Sequence, residues 1–176
     1  AIDLLSGIPS VVYGFFGLMV IVPAVHRLTG VSGKGVLSAS VLLGIMILPT
    51  IISVAESALR AVPKNYYEGS LALGATHERS VFKVTLPAAA SGVLAGVVLG
   101  IGRAIGETMA VIMVAGNQAV IPRSVLGGVR TMTSNIVLEM GYAADLHREA
   151  LIATAVVLFV FILIINLSFS CLKKGK

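Results

Sequence analysis

Four long stretches without a charged residue constrain what this chain can fold into. Asp, Glu, Lys, Arg and His are absent from four stretches of 19 to 23 residues each: 4–25, 35–55, 84–102 and 150–172. About 20 apolar residues in a helix suffice to cross the ~30 Å hydrocarbon core of a bilayer. The sequence therefore predicts an all-α, polytopic transmembrane helical bundle. The four predicted spans are 8–25, 36–55, 88–115 and 150–172.

Composition supports a membrane protein and argues against nucleic-acid binding. Only 12% of the 176 residues are charged, against about a quarter in soluble domains. The net charge of +5 fits Lys and Arg gathered at cytoplasmic membrane edges, and no basic face interleaved with aromatic residues accompanies it. Because the chain starts at Ala1 rather than Met, we expect residues 1–176 to be one transmembrane domain that lacks its natural N-terminus.

Basic residues predict the orientation of the spans. The loop 56–83 and the C-terminal tail lie on the same side of the membrane and carry seven Lys or Arg residues: Arg60, Lys64, Arg79, Lys83, Lys173, Lys174 and Lys176. The opposite side carries five: Arg27, Lys34, Arg123, Arg130 and Arg148. This excess favours a cytoplasmic loop and a cytoplasmic C-terminus. The outer loop, about 117–148, is expected to include a short helix that lies on the bundle.

The cytoplasmic loop, about 56–87, has its own predicted structure. A short helix over 63–73 is expected to end at Gly74 in a left-handed cap. Thr76 then caps a second short helix, and Pro87 opens the third span as a first-turn proline. Six apolar or aromatic residues of this loop lack a partner in the sequence: Tyr66, Tyr67, Leu71, Leu73, Val81 and Phe82. They can enter a groove of another protein, pack on their own bundle, or lie at the lipid interface.

The same loop has a recognisable spacing. The loop contains Glu68-Gly69-Ser70-Leu71-Ala72-Leu73-Gly74, then nine intervening residues, and then Val84-Thr85-Leu86-Pro87. This spacing resembles the EAA loop of ABC-type import permeases, which reads Glu-Ala-Ala, three residues, Gly, nine residues, Ile, one residue, Leu-Pro. Three positions depart from that pattern, each by a similar residue: Gly69 and Ser70 stand in place of alanine, and Val84 stands in place of isoleucine.

The resemblance implies that ATP is hydrolysed by another polypeptide. In that family the loop seats in a cleft of an ATPase subunit and transmits its closure to the spans. The chain has no Gly-x-x-x-x-Gly-Lys phosphate loop followed by Ser or Thr, so ATP and magnesium are expected on a cytoplasmic ATPase dimer, with no cofactor in this chain. The residues expected to contact the ATPase are Tyr66, Glu68, Gly69, Ser70, Leu71, Leu73, Gly74, Ala75, Leu86 and Pro87.

Arg103 and Glu107 interrupt the third predicted span. An ionisable residue inside a membrane is costly and indicates a functional site by default. In a continuous helix, residues four apart share one face and come within reach of an ion pair. Small residues, which permit close helix contact, line the same face: Gly92, Gly96, Gly100 and Ala104, widened by Gly102 and Gly106.

Two interpretations of this charged pair remain open. The pair can be an ion pair that only locks the bundle. Alternatively, Arg103 attracts or passes an anion while Glu107 holds and tempers it, because a planar, permanently charged guanidinium suits a tetrahedral oxyanion. Both can be true, and Arg103 and Glu107 are the expected substrate-pathway residues.

Three further stretches resemble one branch of these permeases. They are Gly102-Arg103-Ala104-Ile105-Gly106-Glu107-Thr108-Met109-Ala110-Val111, Ile8-Pro9-Ser10-Val11-Val12-Tyr13-Gly14 and Arg130-Thr131-Met132-Thr133-Ser134-Asn135-Ile136. The first and third are similar to the C-type permease subunits of phosphate-specific transport systems, and the second is similar to a stretch shared by the phosphate permeases. The resemblance implies about six spans in the full protein, a paralogous A-type permease partner, an extracytoplasmic phosphate-binding protein, and the cytoplasmic membrane of a bacterium or archaeon.

Other functions stay open as alternatives. The EAA spacing does not distinguish phosphate from another oxyanion such as sulfate or molybdate. An ATP-independent transporter or a membrane enzyme would require the spacing to be chance. No metal site is expected, because His26, His77 and His147 are far apart and no His-Glu-x-x-His motif or cysteine pair occurs. No catalytic residue is expected either, because no serine has a suitable base near it in sequence.

Overall fold

The computed structural model describes residues 7–174, with side chains to residue 169, and this range is almost entirely helical. The helices are α1 Ser10–Thr29, α2 Val36–Arg60, α3 Lys64–Ala72, α4 His77–Gly106, α5 Met109–Val114, α6 Met132–Glu139 and α7 Asp145–Lys174. Within the described range there is no β-strand, and a single isolated bridge joins Gly116 to Val129.

Four of these helices confirm the predicted number of spans. α1, α2, α4 and residues 145–169 of α7 are each long and apolar enough to cross a membrane. α2 continues to Arg60, five residues beyond the predicted end, and α7 begins at Asp145, five residues before the predicted start. Charged residues at a helix end therefore belong to the helix although they lie outside the charge-free stretch.

The third predicted span is wrong at both ends. α4 begins at His77, where the Thr76 hydroxyl accepts a hydrogen bond from the Arg79 backbone N–H at 3.4 Å, and it continues without interruption through Pro87. Pro87 therefore lies inside a helix and does not open one. At the other end α4 stops at Gly106, and residues 109–114 form the separate helix α5.

A wide π turn precedes a proline in two of the spans. Gly17–Ile21 of α1 and Val81–Thr85 of α4 have π geometry, and Pro23 and Pro87 each follow two residues later. Proline lacks the backbone N–H, and its ring clashes with the carbonyl of the preceding turn. π turns are rare and occur mostly as single turns within an α-helix, and in membrane helices such a turn can satisfy the backbone groups that a proline frees. Both helices therefore continue across their prolines.

Small residues bring α2 and α4 into close contact. A Cβ atom added at Gly92 would lie 2.4 Å from the Ala58 Cβ. One added at Gly100 would lie 2.7 Å from the side chain of Ile51. The predicted small-residue face thus packs against α2 of the same chain. Gly102 and Gly106 do not belong to this contact, because an added Cβ at either position meets no atom within 4 Å.

The buried core lies where α1, α2 and α5 meet. Leu42, Met46 and Val114 are fully buried there. The segment 115–131, which follows α5, covers the start of α2: the carbonyl of Gly127 accepts from the N–H of Val36 at 3.1 Å. Because the first N–H groups of a helix have no partner within it, this contact fixes the segment 115–131 on the bundle. α7 contacts α6 and α4 but is mostly exposed, with only 6% of its most apolar window buried.

Candidate functional site

The loop 56–87, which the sequence predicts to be cytoplasmic, forms a compact helical hairpin. α3 begins after Pro63 and ends where Gly74 takes a left-handed backbone with φ +85°, as predicted. The backbone N–H of Ala75 then donates to the carbonyl of Ser70 at 3.1 Å. Across the hairpin, the Tyr67 hydroxyl and the His77 ring nitrogen Nδ1 are 2.7 Å apart. The hairpin is therefore held by its own polar contacts.

The apolar side chains of this hairpin point outward. Leu73 is 91% exposed and Phe82 is 64% exposed, and Tyr66 and Leu71 are exposed as well. The remaining predicted coupling residues are exposed or half-buried: Glu68, Gly69, Ser70, Gly74, Ala75, Leu86 and Pro87. Within the described chain, packing on the bundle therefore does not cover this surface.

Arg103 contacts a residue that the sequence patterns did not single out. Its guanidinium nitrogen Nη1 donates to the Thr50 hydroxyl of α2 at 3.2 Å. Both side chains are half-buried. Thr50 lies 53 residues away in sequence and within an apolar stretch, so no periodic pattern marks it. Only the α2–α4 packing places its hydroxyl beside Arg103.

Arg103 and Glu107 do not form the ion pair that one of the two open interpretations supposes. Among the described residues, the salt bridges join Arg60 to Glu56 and both Arg130 and His147 to Glu139. The expectation assumed a continuous helix, but α4 ends at Gly106 and Glu107 has an extended backbone with ψ 129°. Glu107 therefore leaves the helix face that carries Arg103.

Polar side chains stabilise the break between α4 and α5. A Glu107 carboxylate oxygen accepts from the backbone N–H of Ala110 at 3.1 Å, and the Thr108 hydroxyl donates to the carbonyl of Gly106 at 3.2 Å. Such local hydrogen bonds compete with helix continuation. Thr133 of α6 also donates to the Glu107 carbonyl at 3.2 Å. Beside Glu107 lies a cleft of about 240 Å³, which is lined mainly by α2, the end of α4 and residues 129–133.

An ionic cluster around Arg130 holds the segment that follows α5. The Arg130 guanidinium donates to the Glu139 carboxylate at 2.7 Å and to the Asn117 carbonyl at 3.1 Å. Hydrogen bonds from Tyr142 and then from Arg130 hold the pKa of Glu139 below its ordinary value of 4.5. The hydrogen bond to Glu139 likewise raises the pKa of Tyr142 above 10.0. Arg130 and Glu139 thus tie α6 to the segment that follows α5.

The comparisons with known proteins identify the family. The family described as "Binding-protein-dependent transport system inner membrane component" matches residues 1–175. This chain belongs to that family. It is therefore a polytopic protein of the cytoplasmic membrane, with the sequence and fold of a transporter permease subunit.

Two relatives illustrate the range of permeases that the chain resembles. It is 43% identical over 172 residues to the "Probable ABC transporter permease protein YqgH" of Bacillus subtilis, covering 94% of this chain and 56% of that protein. It is 37% identical over 180 residues to the "Phosphate transport system permease protein PstC" of Xylella fastidiosa, covering 91% and 56%. The chain thus spans little more than half the length of either permease.

A solved permease has the same fold. The inward-facing MetNI methionine ABC transporter includes a chain that matches with a TM-score of 0.76 and 21% identity, covering 99% of this chain and 71% of that one. This similarity confirms the predicted bundle of membrane-spanning helices.

Proposed function

We propose that this chain is part of the permease subunit of an ATP-driven inorganic phosphate importer. The observation that carries the choice of phosphate is the similarity to permeases named for phosphate transport, such as that of Xylella fastidiosa, over 91% of the chain. Several other phosphate permeases match at 33–36% identity over 90% or more of the chain.

The environment of Arg103 supports an anionic cargo. Its guanidinium lies in a membrane-spanning helix, and among the described residues its one hydrogen bond is to the neutral hydroxyl of Thr50. A positive charge without a counter-charge in a membrane-spanning helix is costly and attracts an oxyanion. Glu107 lies just beyond the end of the same helix and borders the cleft. In the proposal, Arg103 passes phosphate and Glu107 tempers its hold, and both line the pathway.

The hairpin of α3 and α4 supports a cytoplasmic ATPase as partner. Its exposed apolar side chains form a surface outside the spans, headed by Leu73 and Phe82. An amphipathic helix that enters a protein groove is a recurring way to cover such a surface. The proposed contacts are Tyr66, Glu68, Gly69, Ser70, Leu71, Leu73, Gly74, Ala75, Leu86 and Pro87. ATP and magnesium bind to that ATPase, and the C-terminus of this chain lies on the same cytoplasmic side.

The proposed transport cycle is alternating access. This subunit and a paralogous A-type permease form the path. Closure of the ATPase dimer on ATP moves the hairpin and opens the path toward a phosphate-loaded binding protein outside. Hydrolysis then returns the path to the inside and releases phosphate there.

ATPase activity of the complete complex in lipid vesicles tests this proposal. The full-length permease, its partner permease, the ATPase and the binding protein are reconstituted together, and the binding protein is supplied with phosphate or with sulfate. Stimulation by phosphate alone is expected. Stimulation by sulfate alone would retain the permease function and replace the cargo, and stimulation by neither would refute the importer.

A further inference from the structure

Thr50 lies at mid-depth in the bundle. It comes fourteen residues after Val36 and ten before Arg60 in α2, so at 1.5 Å per residue it is about 21 Å from one end of the helix and about 15 Å from the other. In the part of the chain that the structure describes, its hydroxyl is the only group to which Arg103 donates a hydrogen bond. This contact thus joins the middle of α2 to the last turn of α4.

The chemistry of this contact suits a binding site more than a lock. A guanidinium has five N–H donors in a fixed plane, and the hydroxyl accepts one of them. A carboxylate in the same place would cancel the positive charge, whereas a hydroxyl leaves the charge intact. Thr50 therefore limits the rotation of the guanidinium while its other donors stay available to an anion.

A structural role for Thr50 in packing alone has less support. The close approach of α2 and α4 is made by glycines that face Ile51, Val54 and Ala58, and none of these contacts involves Thr50. Removal of the hydroxyl with retention of the side-chain shape is therefore expected to leave the helix contact unchanged.

We propose that Thr50 is a positioning residue for the transport pathway, and that its hydroxyl orients the Arg103 guanidinium toward the passing oxyanion. This inference rests on the proposed importer function. The loss of a hydrogen bond to a charged group would lower the maximum uptake rate about tenfold or more. The concentration of loaded binding protein that gives half the maximum rate would not change, because docking occurs at the outer surface.

Uptake of radioactive phosphate by the reconstituted full complex tests the inference. Thr50→Val keeps the side-chain shape and removes the acceptor, and Thr50→Ser restores the acceptor. Thr154→Val is the matched control, because that hydroxyl donates only to the carbonyl of Ala150 on α7. Size-exclusion chromatography measures assembly of each complex. The expected result is a low maximum rate for Thr50→Val alone, with all complexes assembled and with Thr50→Ser near the wild-type rate.

Three results would overturn the role of Thr50. They are a wild-type rate for Thr50→Val, an equal loss for Thr50→Ser, and a loss for Thr50→Val that matches a loss of assembled complex. A failure of the proposed function is distinguishable: if the wild-type complex takes up sulfate and no phosphate, phosphate is the wrong cargo, and the same three variants are compared on sulfate. A wild-type complex that transports neither ion would refute both.

Discussion

The contact between α2 and α4 gives a stability prediction that a matched pair of substitutions isolates. In Gly92→Ala the new Cβ lies 2.4 Å from the Ala58 Cβ, whereas carbon atoms in contact are ordinarily about 3.5–4.0 Å apart. The two helices must therefore separate locally by about 1.1–1.6 Å. Overpacking of this kind costs about 1–3 kcal/mol. Replacement of a helical glycine by alanine otherwise contributes about 0.5–1 kcal/mol of stability.

Gly102→Ala is the control, because it lies in the same helix and its new Cβ meets no atom within 4 Å. The helix-propensity gain is shared, so Gly92→Ala should be less stable than Gly102→Ala by about 1–3 kcal/mol. The free energy of unfolding is measured by SDS titration in mixed detergent micelles. Ala58→Gly should restore stability to Gly92→Ala. Equal stability of the two single variants would refute the close contact of α2 and α4.

Two further predictions concern the hairpin and the ionic cluster of Arg130 and Glu139. Gly74→Ala should lower the free energy of unfolding by about 1–2 kcal/mol, because Gly74 has φ +85° and a side chain strains that backbone. Gly69→Ala, in α3 with open space around it, should leave the free energy of unfolding unchanged or raise it. Equal changes in the two variants, measured by the same SDS titration, would contradict this prediction. The stability that Glu139 contributes is present above its unfolded pKa of about 4.5 and is lost as the pH falls through its lower folded pKa. Unfolding followed from pH 7 to pH 3 should therefore show a smaller decline in Glu139→Gln than in the wild type, and identical profiles would contradict the depressed pKa.

The sequence predicted the spans because their signal is local. A charge-free stretch of about 20 residues is sufficient to identify a membrane helix, and four such helices are present. The left-handed turn at Gly74 was also predictable, since glycine is the usual residue there. In both cases neighbouring residues carry the information.

The break after α4 was not predicted, although its residues were visible. Apolar residues flank Gly106, Glu107 and Thr108 on both sides. The helical pattern of the sequence therefore predicts one continuous helix across these three residues. Their side-chain hydrogen bonds to Ala110 and Gly106 decide the outcome, and the sequence does not show whether such bonds form. A glycine followed by two residues that cap backbone groups is the signal that could have indicated a helix end.

The partners of the charged residues could not be predicted for a different reason. Arg103 contacts Thr50, which is 53 residues away in sequence. Arg130 contacts Glu139, which is nine residues away and therefore not at the three- or four-residue spacing of neighbours on one helix face. Both contacts depend on how separate segments pack. The assignment of Arg103 and Glu107 to the substrate pathway stays a prediction, whereas the ion pair between them, one of the two interpretations left open, is absent among the described residues.

Phosphate uptake by the Arg103→Gln complex tests the central claim most directly. The substitution removes the positive charge and keeps a polar, shorter side chain. Arg60→Gln is the control for the same change, because that arginine is exposed and pairs with Glu56 at the end of α2. ATP-driven uptake of radioactive phosphate into vesicles is measured for the wild type and both variants, together with assembly of each complex. The account predicts uptake by the wild type and by Arg60→Gln, and none by a fully assembled Arg103→Gln complex. Wild-type uptake by Arg103→Gln, or a loss explained by failed assembly, would contradict it.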